Sequence, residues 1–231
     1  ELGDVTDSSE AGIKLNGDST STKVTGVLNA AKLTQNAGSL TVKGALNATE
    51  ATVKGTTLEG ATANIGTLTA TTKDALDLTN ASTATVGSFD GSEAAKDTVK
   101  IGEGSTLTIT ANQTATAESE KDKAIFKNNA TGDAITGKGT LAVNAGALGL
   151  KQKANDYEST NHFAENSVGV LKINGAASAI GADKINNDNL DKLITALSVE
   201  NQNKFDGKLQ LVGVTADISG AKVNKAGDAT D

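Results

Sequence analysis

The sequence predicts a mainly β protein, with solenoid-like stacked strands in the first half and a β-sandwich-like second half that carries one α-helix at about 188–205. Three observations lead there. First, the chain has no Pro, Cys, Met, Trp or Arg, and Ala, Thr, Gly and Asn make up nearly half of its 231 residues. Thr favours strands, Gly and Asn favour turns, and small side chains allow close packing. Second, Gly44, Gly55 and Gly66 recur every 11 residues, with Gly87 a further 21 on. Third, Gly repeatedly opens a short alternating phrase: Gly38-Ser39-Leu40-Thr41-Val42, Gly104-Ser105-Thr106-Leu107-Thr108-Ile109 and Gly139-Thr140-Leu141-Ala142-Val143. Alternation of this kind puts aliphatic residues on one face of a half-buried strand.

Leu, Ile, Val and Phe number 49, or 21 % of the chain, close to the composition at which chains stop burying enough to fold. The core is therefore expected to be thin, filled by Ala and Thr methyls with a Leu or Val per strand. A spacing of 11, or 22 for a full coil, suits stacked strand-turn units that each need a neighbour to cover their apolar edge. Leu40, Leu46, Leu58, Leu68 and Leu107 are expected to point inward.

Residues 1–117 read as the repetitive region. Residues 118–123, Glu-Ser-Glu-Lys-Asp-Lys, read as a charged connecting loop, and 124–231 as a second β region. There Val168 and Val170 share one phase while Leu171 and Ile173 share the other, the mark of a β-bulge or of two buried faces. Asn187 or Asp188 caps the helix, Leu190, Leu193, Ile194 and Leu197 form its apolar stripe, and Gly207 stops it.

The composition removes most catalytic chemistry. Thiolates and guanidinium groups are absent, and one His (His162) and one Tyr (Tyr157) remain, so no enzyme and no catalytic residue is expected. His162 has no second His or Cys with which to hold a metal and reads as a rim residue. Gly132 to Lys138 resembles the opening of a phosphate loop. However, Gly139 stands where Ser or Thr should hold magnesium, and a strand follows where a helix is needed. No cofactor is expected. The acidic cluster around Asp183, Asp188 and Asp191 has oxygens enough for calcium but lacks the turn glycine and bidentate Glu of a hand-type loop. Sequons at Asn47, Asn80, Asn112 and Asn129 are candidate glycosylation sites, though 20 Asn and 46 Ser or Thr predict about four by chance.

A net charge of −7, with Lys scattered singly, excludes nucleic acid as a partner. No apolar run is long enough to span a membrane. The phrases Gly102 to Ile109 and Gly137 to Val143 resemble coils of bacterial autotransporter passengers and related surface adhesins. The composition is similar to that of surface-layer proteins and flagellin outer domains, and Val42 to Leu46 and Ile65 to Thr69 resemble phage tail-fibre shafts. That resemblance implies an extracellular, cell-surface structural protein that associates with itself through strand edges and flat Thr-rich faces. Lys43, Lys54 and Lys73 would guard those edges. The alternative is an adhesin binding cell-envelope glycans or a host ligand. An ice-binding solenoid is a further binding class: Thr67, Thr69 and Thr71 align on one face, but the sequence displays no matching row at constant spacing.

Overall fold

A computed structural model describes residues 1–70, 72–90, 97–111, 134–165, 167–199 and 204–216. The expected charged loop at 118–123 lies outside them. In chain order the first strands are β1 (Val5–Asp7), β2 (Ile13–Leu15), β3 (Ser21–Val24), β4 (Val27–Gln35), β5 (Ser39–Val42), β6 (Ala45–Thr52) and β7 (Thr56–Glu59). They are followed by β8 (Thr62–Thr69), β9 (Leu76–Thr79), β10 (Thr83–Asp90), β11 (Val99–Ile101), β12 (Thr106–Ile109) and β13 (Ile135–Asn144). Short and long strands alternate along the chain, and each pairs in parallel with its equivalent in the next coil. One sheet runs β3-β5-β7-β9-β11, the other β4-β6-β8-β10-β12, and β13 joins both, so the two nearly close on each other.

Parallel pairing in register stacks like on like. Val5, Leu28, Leu46, Ala63, Ala84, Leu107, Leu141, Leu171 and Leu209 form one inward column. Val24, Val42, Leu58, Leu78 and Ile101 form its counterpart on the opposite sheet. The five leucines expected to point inward are all at most 1 % exposed. Each of β4, β6, β8 and β10 breaks its alternation once. Between Ala30 and Leu33, Ala48 and Ala51, Ile65 and Leu68, and Val86 and Phe89, two successive residues avoid the core, so the strand bends there. The bend column is Ala31, Thr49, Gly66, Gly87, and these residues are skipped in the pairing. A Cβ on Gly87 would sit 2.5 Å from the Gly66 carbonyl oxygen, closer than packing allows. The glycine serves close approach of one coil to the next.

The spacing of 11 is not the coil repeat. Gly44 precedes β6, Gly55 precedes β7 and Gly66 lies within β8, so they occupy three different columns. Down the Leu28 column the offset between paired residues is 18, 17, 21, 23, 34, 30 and 38. The number of residues between paired strands varies while the strands stay paired, because only the strands are constrained by pairing.

The second half carries the stack on. Hairpin β14 (Lys151–Lys153) and β15 (Asp156–Glu158) precedes β16 (Val168–Asn174), which pairs with β13. Then come α1 (Ala176–Ala179), β17 (Lys184–Ile185), α2 (Asn187–Leu197), β18 (Lys208–Leu211) on β16, and β19 (Thr215–Ala216) on β17. Val168 and Val170 do not share a face as expected: Val168, Leu171 and Ile173 are buried and Val170 is half-buried. The register irregularity lies opposite them, on β13 between Gly137 and Thr140. The expected helix is shorter than 188–205. Asn186, not Asn187 or Asp188, is its cap, in a reciprocal box with Asn189. The helix ends at Leu197 because Ser198 and Val199 turn away to bridge Phe163, long before Gly207. Leu193 and Leu197 are buried, while Leu190 and Ile194 are half-buried. Among the described residues no helix is long and apolar enough to cross a membrane.

Candidate functional site

Three surface features remain once the core is accounted for. The first is a face built by β4, β6, β8, β10, β12 and β13. Its outward residues pair as Val27/Asn29, Ala45/Asn47, Thr62/Asn64, Thr83/Thr85 and Thr106/Thr108, in two columns, and Thr140 continues the first of them on β13, where its fellow Ala142 is buried. None of these eleven outward residues is charged, in a chain that is 21 % charged. Asn47 Nδ2 donates to Asn29 Oδ1 at 2.9 Å, and Asn64 Nδ2 donates to Asn47 Oδ1 at 3.3 Å. This ladder holds the amides in one orientation, as stacked identical strands do generally.

The other faces carry charge. The outward column of the short-strand sheet is Lys23, Thr41, Thr57, Asp77, Lys100, Thr136. There Lys100 pairs with Asp74 at 2.5 Å, and burial pushes the Asp77 carboxyl up. Lys32 meets Glu50 at 3.3 Å on the bent leg of the long strands. Lys43, which pairs with Glu59 at 2.8 Å, and Lys54 lie in turns between the middle coils. Lys73 likewise lies in the turn before β9. None of the three guards a sheet edge, contrary to expectation; on β18, at the edge, the Lys is Lys208.

The second feature is that edge. Among the described residues β18 pairs with β16 alone, and its Leu209 and Leu211 are half-buried where the equivalent Leu171 and Ile173 are fully buried. The third is a polar cleft of about 370 Å³ between the β14–β15 hairpin and α2, lined by Gln152, Asn155, Asp156, Tyr157, Asn189 and Lys192.

The residues singled out in the sequence do not converge. Asp183 sits in the turn before β17, where its carbonyl accepts from Thr215 N at 2.7 Å. Asp188 is in the first turn of α2, and the Asp191 carboxylate accepts from Lys204 Nζ at 2.6 Å. Among the described residues no three acidic or His side chains gather to hold a metal. Asn47 is a rung of the amide ladder, its Nδ2 already engaged. Asn80 is exposed in a turn at φ 52°. Asn112 and Asn129 lie outside the described residues. His162 is half-buried and its Nδ1 donates to the Ala196 carbonyl at 3.1 Å. Gly132 and Asp133 are likewise not described, and Ile135–Asn144 is the strand β13.

The threonine rows were missed. Thr62, Thr83, Thr106 and Thr140 stand one above another on successive strands. Unequal turns hide them in the linear sequence. The row of Thr67, Thr69 and Thr71 is a different one: Thr67 pairs with Glu50 and Ser88, and Thr71 lies outside the described residues. No family model, curated protein or solved structure matches the chain. The functional reading therefore rests on the molecule's own geometry.

Proposed function

We propose that the protein is an exported structural component of a bacterial surface that builds homomeric arrays or filaments by pairing strand edges. The observation that carries this is β18, which among the described residues pairs on one side only and leaves two leucines half-buried at the described end of the parallel stack. Unpaired N–H and C=O groups in such an edge are satisfied by the edge of another copy, and the pairing also covers the leucines. The uncharged Thr-Asn face gives a second flat surface for lateral contact. This reading accords with the autotransporter passengers whose phrases the sequence resembles and with the surface-layer proteins whose composition it resembles. Sedimentation across a range of concentration and ionic strength tests it. Assembly should rise with concentration and with added salt, which screens the net charge of −7. Leu211→Lys, which places a charge in the open edge, should leave monomers. A strictly monomeric wild type throughout would refute edge assembly.

A second reading follows from the threonine rows. Neighbouring strands lie ~4.8 Å apart and alternate residues ~6.6 Å apart, so Thr62, Thr83, Thr85, Thr106, Thr108 and Thr140 present methyl and hydroxyl groups on a near-rectangular, uncharged patch of this face. Such a patch can order water and adsorb to ice. Freezing-point hysteresis of the purified protein is then expected, and Thr83→Lys, in the middle of the face, should abolish it. Freezing without hysteresis at millimolar protein would dismiss this reading while leaving edge assembly untouched.

A further inference from the structure

Tyr157 is the only Tyr of the chain, and it is 9 % exposed. Its position in β15, against α2, explains the burial of the ring. The hydroxyl is another matter. No described group hydrogen-bonds to it, yet it is not among the sealed polar atoms without partners, which are Thr72 Oγ1, Asn161 Oδ1 and Ser167 Oγ. It therefore keeps contact with solvent, and Tyr157 is one of the residues that line the cleft. Burial pushes its pKa up, so the phenol is protonated at neutral pH and can both donate and accept.

The rest of the lining has the same character. Gln152 is exposed and its amide has no described partner, and the Asn189 amide N–H₂ is free, its Oδ1 being engaged by Asn186 N at 2.6 Å. Asp156 spends one oxygen on Tyr157 N at 2.9 Å. Lys192 Nζ donates to the Asn155 carbonyl at 2.6 Å and ties the helix to the hairpin tip. That tip places Ala154 at φ 51°, a left-handed conformation that costs a residue with a Cβ and is found where local geometry serves a site. Within the lining itself Asp156 offsets Lys192. Beside it Glu158, whose carboxyl Lys153 and then Lys151 hold below its usual range, engages both lysines of the neighbouring strand.

A cleft of this volume falls within the range of small-molecule sites. With donors and acceptors in mixture and no net charge among its lining residues, it suits a ligand rich in hydroxyl groups that give and take hydrogen bonds. We propose that the cleft between the β14–β15 hairpin and α2 binds a neutral sugar, with Tyr157, Gln152 and Asn189 as the recognising groups. This goes beyond edge assembly and does not depend on it.

The chain has no Trp and one Tyr, so its intrinsic fluorescence reports this cleft alone. Titration of the full chain with glucose, galactose, mannose, N-acetylglucosamine and their disaccharides should give a saturable change in Tyr emission for at least one of them. Inorganic phosphate should give none. Gln152→Ala, on an exposed hairpin position, should leave the melting temperature unchanged and weaken sugar binding about tenfold, the loss of roughly one net hydrogen bond. Tyr157→Phe, read by calorimetry, should do likewise. Should Tyr157→Phe fail to fold, Gln152→Ala decides. Three outcomes overturn the proposal: no saturation with any of these sugars, saturation by phosphate to the same degree, or wild-type affinity in a folded variant.

Discussion

Leu58→Ala is expected to destabilise the protein by about 2–5 kcal/mol, as fully buried large-to-small changes do. Leu58 is 0 % exposed and stands mid-column, with Val42 before it and Leu78 after it. Truncation removes contacts to both neighbours at once. Parallel strands in register cannot slide to close the gap without breaking pairing in every coil above, so relaxation is small and the cost falls toward the upper part of the range. Thr57→Ala, one residue away on the outward side, should change stability by less than ~0.5 kcal/mol. Denaturant melts of the pair check this, and equal midpoints would mean that Leu58 does not face the core.

That contrast was legible in the sequence, because alternation within one strand is local information. Leu40, Leu46, Leu58, Leu68 and Leu107 each sit in a phrase of four or five residues whose phase is set by its neighbours. What stacks on what was not legible. Gly44, Gly55 and Gly66 look equivalent at a spacing of 11 but mark two different turns and a strand bend. The true partners, Gly66 and Gly87 for example, are brought together by backbone pairing across turns of unequal length. The helix shows the same limit. Its stripe and the presence of a capping Asn could be read from local spacing, whereas its end is decided by Phe163, some thirty-five residues upstream in the chain. Of the surface features, the Asn and Thr columns and the Tyr157 cleft are products of stacking and packing, and no spacing rule could have found them. Tyr157 in particular lies between Asp156 and Glu158 and reads locally as part of a charged loop.

Gln35→Leu is expected to cost about 3 kcal/mol or more, at roughly 1–3 kcal/mol for each buried group left without a partner. Gln35 is 1 % exposed and sits at the end of β4, where the chain turns into the next coil. Its Nε2 donates to the Gly38 carbonyl at 2.9 Å, and its Oε1 accepts from Lys54 N at 3.1 Å and from Thr56 Oγ1 at 2.7 Å. One side chain thus completes the backbone of a turn in its own coil and of the equivalent turn in the next, where regular pairing is interrupted. Leu fills much the same volume, so the loss measures polar satisfaction rather than a cavity. Gln35→Glu separates the two further. Its carboxyl can still accept from Lys54 N and Thr56 Oγ1, but when ionised it sets a negative oxygen against the Gly38 carbonyl in a buried site. Its folded pKa is then raised above the unfolded value. For an acid shifted in that direction the folded state holds the proton longer, so stability is greatest below the unfolded pKa and falls as pH rises toward the folded one. Melts of Gln35→Glu should therefore show higher stability in mildly acidic than in neutral buffer relative to wild type. A variant with wild-type pH dependence would mean that residue 35 is solvated and that the turn is closed by other groups.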